Sequence, residues 1–291
     1  METEHQYIIQ SCEQTQDTFP KSLQQIAHPP TSIYYRGAFT CTLPKISLVG
    51  TRKASEQGLY IARQLAYELA SQGWCIVSGL ALGIDGAAHQ GALDAQGITW
   101  AVLAHGLDII HPRQHEELSQ KILRTKGCLV SQYPPKTPPY ASNFLERNRI
   151  ISGLSTAVVV IEAPHGSGSI VTARHAIRDK KPVFVIPGSP LSPAYAGSLE
   201  LLRAGARLVR TATDILVDLA SQKLIPDTSS KDTNPKYTHI WECILHAKHA
   251  LSIDDLIEQT TLPYPVVMEG IHELLRTHRI REDGLQTYVR I

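Results

Sequence analysis

From residue 46 onward, the apolar positions of this chain follow two alternating patterns. Short runs of consecutive apolar residues, beginning with residues 46–49, predict buried strands. Longer stretches with apolar residues at helical spacing, beginning with residues 56–71, predict helices, and glycine-rich turns separate the two. Later predicted strands are 75–77, 99–104, 129–130, 157–161 and 183–186, and later predicted helices are 85–95, 116–124, 143–153 and 170–178.

This alternation predicts the α/β fold class. Strands that alternate with helices form a mainly parallel sheet with helices on both faces, because parallel neighbours need crossover connections. We therefore expect a Rossmann-like domain over residues 45–219. Ligands of such domains bind beyond the carboxyl ends of the strands, and the glycine-rich turns of this chain lie at those ends.

Three further segments flank the predicted domain. Residues 1–44 form a short adaptor segment packed on it, and residues 220–235 form a polar linker without apolar periodicity. Residues 236–291 carry three short amphipathic helices, a turn at 283–284 and a final extended stretch. Three helices followed by a two-stranded ribbon predict a small C-terminal winged-helix domain.

Composition narrows the class of protein. The 291 residues are 43% hydrophobic and 19% charged, as in ordinary globular proteins. Because no long apolar run occurs and the first thirty residues contain acidic side chains, we expect a cytoplasmic protein without a membrane span. The five cysteines are scattered without a C-x-x-C pair, and we expect reduced thiols. The net charge is +1, but residues 45–219 hold 18 Lys/Arg against 13 Asp/Glu.

Two glycine turns offer candidate phosphate contacts. In Val-Gly-Thr-Arg at 49–52, the amides of a helix N-terminus and the guanidinium of Arg52 suit an anion. The alternative is a structural turn with a surface arginine. At 162–169, Ser167, Gly168 and Ser169 precede a helix and suit phosphate, or they form a plain loop with Ser169 as the helix cap.

Two other segments carry candidate site residues. Residues 78–89 expose glycines, including Gly79, that let an extended ligand approach the backbone, while His89 suits a packed helix position. Residues 143–151 place Phe144, Arg147 and Asn148 together, with Asn143 as a plausible helix cap. An aromatic ring beside guanidiniums suits stacked bases and phosphates. The alternative is that Phe144 is a core residue and Arg147 pairs internally with a carboxylate.

The chain lacks the motifs of common cofactor sites and hydrolases. G-x-G-x-x-G, G-x-x-x-x-G-K-[ST] and G-x-S-x-G are absent from the sequence. His111 and His115 are four residues apart, but no carboxylate completes a metal motif. We expect no cofactor, no metal and no catalytic residue.

Four segments together resemble the DprA/Smf family. They are Val-Gly-Thr-Arg at 49–52, Ser-Gly-Leu-Ala-x-Gly-Ile-Asp-x-x-Ala-His at 78–89, Arg-Asn-Arg-Ile-Ile-Ser-Gly-Leu-Ser at 147–155, and Glu-Ala-x-x-x-Ser-Gly-Ser at 162–169. The resemblance covers about residues 19–219. One departure lies at Leu145, where the family usually has proline after the phenylalanine.

The resemblance implies a non-enzymatic protein that binds single-stranded DNA, forms a homodimer and loads the RecA recombinase during natural transformation. The implied DNA-binding residues are Arg52, Gly79, Phe144, Arg147, Asn148, Ser167, Gly168 and Ser169.

Two other functions are weighed. A phosphoribohydrolase of the LOG type also uses glycine turns and a glutamate after a strand, as at Glu162, but its P-G-G-x-G-T-x-x-E motif is absent. A sequence-specific regulator would bind DNA through the winged helix. Residues 236–291 hold 6 Lys/Arg against 8 Asp/Glu, which argues for a protein contact or weak DNA binding instead.

Overall fold

A computed structural model describes residues 8–224, 238–247, 249–276, 280–282 and 287–290 of the chain. The chain divides into two compact units, Met1–Leu216 and Val217–Ile291. Among the described residues, no helix is long and apolar enough to cross a membrane.

The first unit is built on one nine-stranded sheet. Its strands are β1 (Gln10–Glu13), β2 (Ser32–Gly37), β3 (Lys45–Val49), β4 (Cys75–Ser78), β5 (Thr99–Leu103), β6 (Cys128–Ser131), β7 (Ala157–Val160), β8 (Val183–Val185) and β9 (Arg207–Leu208). They lie in the order β1-β2-β6-β5-β4-β3-β7-β8-β9. In that order, every neighbouring pair from β6 across to β9 is parallel. The β1–β2 and β2–β6 pairs are antiparallel. The predicted, mainly parallel sheet is confirmed.

The helices cover both faces of this sheet. They are α1 (Lys21–Gln24), α2 (Glu56–Ser71), α3 (Ile84–Asp94), α4 (Glu116–Arg124), α5 (Ala141–Leu154), α6 (Gly168–Arg178) and α7 (Ala196–Arg203). The next helix, α8 (Ala212–Leu224), crosses the boundary between the two units. Alternate residues of one strand belong to different cores. Val102 packs in the cluster that includes Ile151 of α5, whereas Leu103 packs with Ile122 of α4. A strand buried on both sides needs an uninterrupted apolar run, which is the pattern seen in the sequence.

The N-terminal segment is part of the sheet. The sequence predicted only a packed adaptor, but β2 pairs with β6, with Tyr34 opposite Ser131, and β1 pairs with β2. These strands are short and only partly buried, so their apolar pattern is weak. Helix α5 also differs from expectation, since it begins at Ala141 after Tyr140 and buries Asn143 inside the helix. The prediction of Asn143 as the cap is wrong.

The second unit has its own core. It contains α9 (Thr238–His246), β10 (Leu251–Ser252), α10 (Ile253–Thr260), α11 (Tyr264–Arg276), β11 (Ile280–Glu282) and β12 (Thr287–Arg290). The strands form an antiparallel sheet in the order β10-β12-β11, and buried Ile240, Leu256 and Ile271 join the helices. A winged helix is built from such parts, and that assignment stays a prediction. Helix α8 continues to Leu224, inside the range predicted as linker, and residues 225–237 and 283–286 lie outside the described residues.

Candidate nucleic-acid interface

The strand order of the first unit reverses between β3 and β7. Strands β3, β4, β5 and β6 lie side by side in chain order, and β7 then pairs with the other side of β3. The turns after Val49 and Val160 therefore leave neighbouring strands in opposite directions, and a crevice opens between them. A cleft of about 440 Å³ lies there. Its lining includes Thr51, Arg52, Lys53, Phe144, Leu145, Arg147, Asn148, His165, Ser167, Gly168, Ser169 and Thr172.

The first wall of the cleft is the turn after β3, whose backbone is tightly held. The Thr51 N–H donates to the carbonyl of Glu162 at 2.7 Å, and the Thr51 carbonyl accepts from Ile84 N–H. A Cβ at Gly50 would lie 2.4 Å from the Ile84 side chain and 2.9 Å from the Glu162 carbonyl, so only glycine fits. This fixed turn leaves the side chains of Arg52 and Lys53 exposed at the cleft.

An aromatic side chain from α5 lies against Arg52. The guanidinium carbon of Arg52 is 4.8 Å from the ring centroid of Phe144, within range of a cation–π interaction. The ring of His111 meets Phe144 edge-on, with centroids 6.0 Å apart. Phe144 is half-buried and the adjacent Leu145 is 53% exposed. Phe144 therefore lines the cleft and is not a core residue.

The opposite wall is the N-terminus of α6. Ser167 occupies the cap position, and its Oγ accepts from the N–H of Ser169, so the alternative that made Ser169 the cap is wrong. The Asn148 amide donates to the Gly168 carbonyl at 3.0 Å and fixes this turn to α5. A Cβ at Gly168 would have only Asn148 Nδ2, at 3.8 Å, within 4 Å. The first amides of α6 thus face the cleft with free space above Gly168, where an anion is stabilised.

Arg147 forms the floor of the cleft. It is 4% exposed, and its Nη1 donates to the carbonyl of Gly79 at 2.7 Å and to that of Val102. Burial lowers its pKa to about 10, although the charge of Asp85 acts in the opposite direction. These bonds engage the guanidinium inside the fold, but the acceptors are carbonyl oxygens and not the carboxylate that the internal-pairing alternative named.

Gly79 lies beneath Arg147 and does not line the cleft. The residue is buried, and its N–H donates to Asp85 Oδ2 at 3.0 Å. A Cβ there would lie 2.4 Å from Arg147 Nη1 and 2.6 Å from Asp85 Oδ2. The expectation that Gly79 is exposed to a ligand is wrong, because this glycine makes room for the buried side chains of Arg147 and Asp85. Asp85 follows the cap position of α3, which Gly83 occupies, and burial raises the carboxyl pKa.

Glu162 is turned away from the cleft. It is 1% exposed, and Oε2 accepts from the Ser55 hydroxyl at 2.7 Å and from the Ser55 N–H at 3.2 Å. It therefore stabilises the start of α2, where the helix dipole favours a negative charge. A Cβ at Gly58 would lie 2.1 Å from Oε2, so the first turn of α2 needs glycine to accept the carboxylate.

His89 is a packed helix residue, as predicted. It is fully buried, and Nδ1 lies 2.7 Å from the Thr99 hydroxyl. Burial lowers its pKa to about 3, so the ring stays neutral over the physiological range. It touches the sheet and lies outside the cleft lining.

Seven of the eight predicted site residues line the cleft, and Gly79 is the exception. Sequence reasoning missed Lys53 and Thr172. Lys53 follows Arg52 directly, and a second cation at the same helix entry was the available signal. Thr172 is one helical turn after Gly168, so it faces the same side as the α6 N-terminus, but a threonine within a helix carries no signal of its own.

The fold and the cleft together define a class of protein, a Rossmann-like domain whose crevice at the strand-order reversal is lined by a helix N-terminus and exposed cationic side chains. The chain belongs to the DNA recombination-mediator protein A family, whose model matches residues 10–220. It is 37% identical to DNA processing protein DprA of Bacillus subtilis over 71% of this chain and 70% of that protein. It is 42% identical to protein Smf of Escherichia coli over 69% of this chain and 54% of that protein.

Two solved structures of DNA processing protein A share this fold. The Streptococcus pneumoniae structure has a TM-score of 0.68 and 36% identity, with 72% of this chain and 74% of that chain covered. The Helicobacter pylori structure has a TM-score of 0.65 and 30% identity, with 74% of this chain and 97% of that chain covered. The latter is described for its unique single-stranded DNA binding mode.

Proposed function

We propose that this chain binds single-stranded DNA in the cleft between β3 and β7 and acts as a recombination mediator. The observation that carries the proposal is the exposed Arg52 guanidinium, 4.8 Å from the Phe144 ring, across the cleft from the N-terminus of α6. Phosphate binds at Arg52, Lys53 and the α6 N-terminus, and a base stacks near Phe144. None of these groups reads base edges, so binding is sequence-tolerant.

Arg147, Asn148 and Gly79 support this site from below. Arg147 and Gly79 hold the turn after β4, while Asn148 positions Gly168 so that a nucleotide backbone approaches the α6 amides. Ser167 and Ser169 add hydroxyls at the same helix entry. The DNA contacts thus come from the exposed residues, and the buried ones fix the positions of the walls.

The protein is proposed to act without catalysis. A LOG-type phosphoribohydrolase would need an accessible glutamate after the strand. Glu162 holds that position here, but it is 1% exposed and accepts a hydrogen bond from Ser55. Incubation with nucleoside 5′-monophosphates tests the point. We expect no free base, and release of base would revive the enzymatic alternative.

The remaining parts of the proposal concern partners and setting. By its family, we propose that the chain forms a homodimer, works in the cytoplasm and loads RecA onto single-stranded DNA during natural transformation. RecA filament formation on DNA coated with single-strand-binding protein measures the loading step directly. Equal filament formation with and without this chain would count against that role.

Fluorescence anisotropy with single- and double-stranded oligonucleotides over a salt series tests the DNA site. Arg52→Ala should weaken binding and reduce the slope of log affinity against log salt by about 0.7, because one phosphate contact is lost. Phe144→Ala should weaken binding about 5- to 150-fold, equivalent to about 1–3 kcal/mol of stacking, with little change in slope. Arg124→Ala, an exposed arginine of α4 outside the cleft lining, is the matched control.

Three results would contradict the proposal. One is tighter binding to double-stranded than to single-stranded DNA. A second is an Arg52→Ala variant with the wild-type salt slope. The third is a loss of affinity in Arg124→Ala equal to that in Arg52→Ala, since affinity would then follow total charge and not this cleft.

A further inference from the structure

Three cysteines lie near the amino-terminal ends of the parallel strands, at the end of the sheet opposite the cleft. Cys75 and Cys128 are the first residues of β4 and β6 and are buried, and Cys41 is partly buried on the connection between β2 and β3. The backbone draws Cys75 toward this connection, because its N–H donates to the Pro44 carbonyl at 2.9 Å. In the β3–β4 register, Cys75 pairs with Lys45.

Thiols and one ammonium group lie together around Cys41. The Cys41 side chain packs against the buried cluster that contains Cys75 and Cys128. Lys45 adds a cation beside it, since its Nζ donates to the Cys41 carbonyl at 2.8 Å and lies 4.7 Å from the Trp100 ring centroid. A neighbouring cation favours the thiolate form of a cysteine. Interaction with the Cys75 thiol is the largest cause that lowers the Cys41 pKa to about 6, despite partial burial.

Cys75 is the complementary member of the pair. Burial raises its pKa well above the ordinary value, so it stays a protonated donor toward Cys41. Low-pKa, partly accessible thiols with a second thiol at hand are the ones that peroxides oxidise. Buried, protonated thiols without such a neighbour are inert.

We propose that Cys41 is a peroxide-reactive modification site and that Cys75 is its resolving thiol. The Cys41 thiolate attacks one oxygen of hydrogen peroxide, the O–O bond breaks, and sulfenic acid forms as hydroxide leaves. The Cys75 sulfur then attacks the Cys41 sulfur, the S–O bond breaks, and the departing hydroxyl takes up the Cys75 proton as water. The hydroxide released in the first step takes up one proton from solvent as the second water. Two electrons leave the two thiols, and one peroxide is reduced to two waters. The resulting disulfide joins the β2–β3 connection to the start of β4.

Cys243 of α9 serves as an internal control for Cys41. It is also partly buried, but burial and the nearby Glu242 raise its pKa above the ordinary 9.0. Alkylation depends on the thiolate fraction and, more weakly, on intrinsic nucleophilicity, which falls with pKa. Combining the two, Cys41 should react with iodoacetamide at least about 20-fold faster than Cys243 at pH 6, and the ratio should fall below one at pH 9.

The first experiment measures this ratio in the full wild-type chain by peptide mass spectrometry after brief alkylation at pH 6, 7, 8 and 9. A ratio that crosses one as the pH rises supports the proposal. A ratio that does not change with pH, or a Cys243 that reacts faster at pH 6, overturns it. Because no substitution is involved, this test does not depend on the folding of a variant.

The second experiment identifies the resolving thiol. After peroxide treatment and quenching, non-reducing peptide maps of the wild type should contain the Cys41–Cys75 disulfide. In Cys75→Ser, Cys41 should stop at sulfenic acid and be trapped by dimedone, while in Cys41→Ser the thiol of Cys75 should stay reduced. A Cys41–Cys128 disulfide, or a Cys41 that stays reduced in the wild type, overturns the proposed pair.

Discussion

Replacement of Arg147 by methionine separates a structural role from a DNA contact. In the wild type, Arg147 is 4% exposed and holds the carbonyls of Gly79 and Val102, and the Asp85 carboxyl beside it is 6% exposed. Methionine fills a similar length without charge or donors. Asp85 is then buried without its cation, and two carbonyl oxygens lose their partner.

The expected cost follows from these contacts. Removal of the buried Arg147 guanidinium costs about 2–6 kcal/mol, because two carbonyl oxygens each lose a donor at about 1–3 kcal/mol. For a chain of this size each kcal/mol lowers Tm by about 2–4 °C, so Arg147→Met should melt about 4–24 °C below the wild type. The double variant Asp85→Asn with Arg147→Met removes both charges. It should lose less stability than the sum of the single variants, by about 0.5–3 kcal/mol.

Urea unfolding followed by the fluorescence of Trp100, which is buried in the first unit, measures these free energies. DNA affinity is then measured at a temperature where each variant is folded. The folded Arg147→Met variant should keep the wild-type salt slope, whereas Arg52→Ala should not. A variant with wild-type unfolding free energy, weakened DNA binding and a flatter salt slope would refute the reasoning and make Arg147 a phosphate ligand.

Three more predictions follow from individual residues. Gly79→Ala should destabilise the fold, because its Cβ would lie 2.4 Å from Arg147 Nη1. A melting temperature equal to that of the wild type would contradict this. Gly168→Ala should keep its Tm yet bind DNA more weakly, since the methyl group fits the fold but crowds a ligand; unchanged affinity in anisotropy would contradict close backbone approach. His89 has a folded pKa of about 3, below the unfolded 6.5, so its contribution to stability is complete above pH 6.5 and is lost as pH falls toward 3. Between pH 6 and 4, urea unfolding should therefore show the wild type losing up to about 1.4 kcal/mol per pH unit more than His89→Gln, and parallel pH curves would contradict it.

Sequence reasoning predicted the central sheet because each strand there is buried on both sides. Residues 157–161, for example, form an uninterrupted apolar run, which only a covered sheet accommodates. The edge strands were missed for the same physical reason. In β2 only Ile33 is buried, so its alternation is too short to distinguish from a loop. Pairing with β6 is a long-range contact that no local pattern encodes.

The candidate site shows a similar division. Arg52, Ser167 and Gly168 follow strands directly, so topology alone brings them to one crevice. The depth at which a residue lies was not predictable. Arg147 and Phe144 lie three positions apart on one helix and both line the cleft, yet Arg147 is buried at its floor and Phe144 is half-buried. Helix α5 buries polar Arg147 and Asn148 and exposes apolar Leu145, so its apolar pattern does not define the buried face.

In the proposed DNA site, the contact between Arg52 and Phe144 couples the contributions of the two residues. Sequence reasoning treated them as independent, with phosphate at the guanidinium and a base at the ring. In the structure the guanidinium lies 4.8 Å from the ring centroid, and the His111 edge contacts the same ring. A base that stacks on the face under Arg52 must displace the guanidinium, which costs about 0.5–1 kcal/mol of cation–π energy at an exposed site. The displaced guanidinium recovers that energy at a phosphate, through a charge-assisted hydrogen bond of comparable or greater strength. Stacking at Phe144 and phosphate binding at Arg52 are thus two parts of one exchange, and either residue loses part of its contribution when the other is removed.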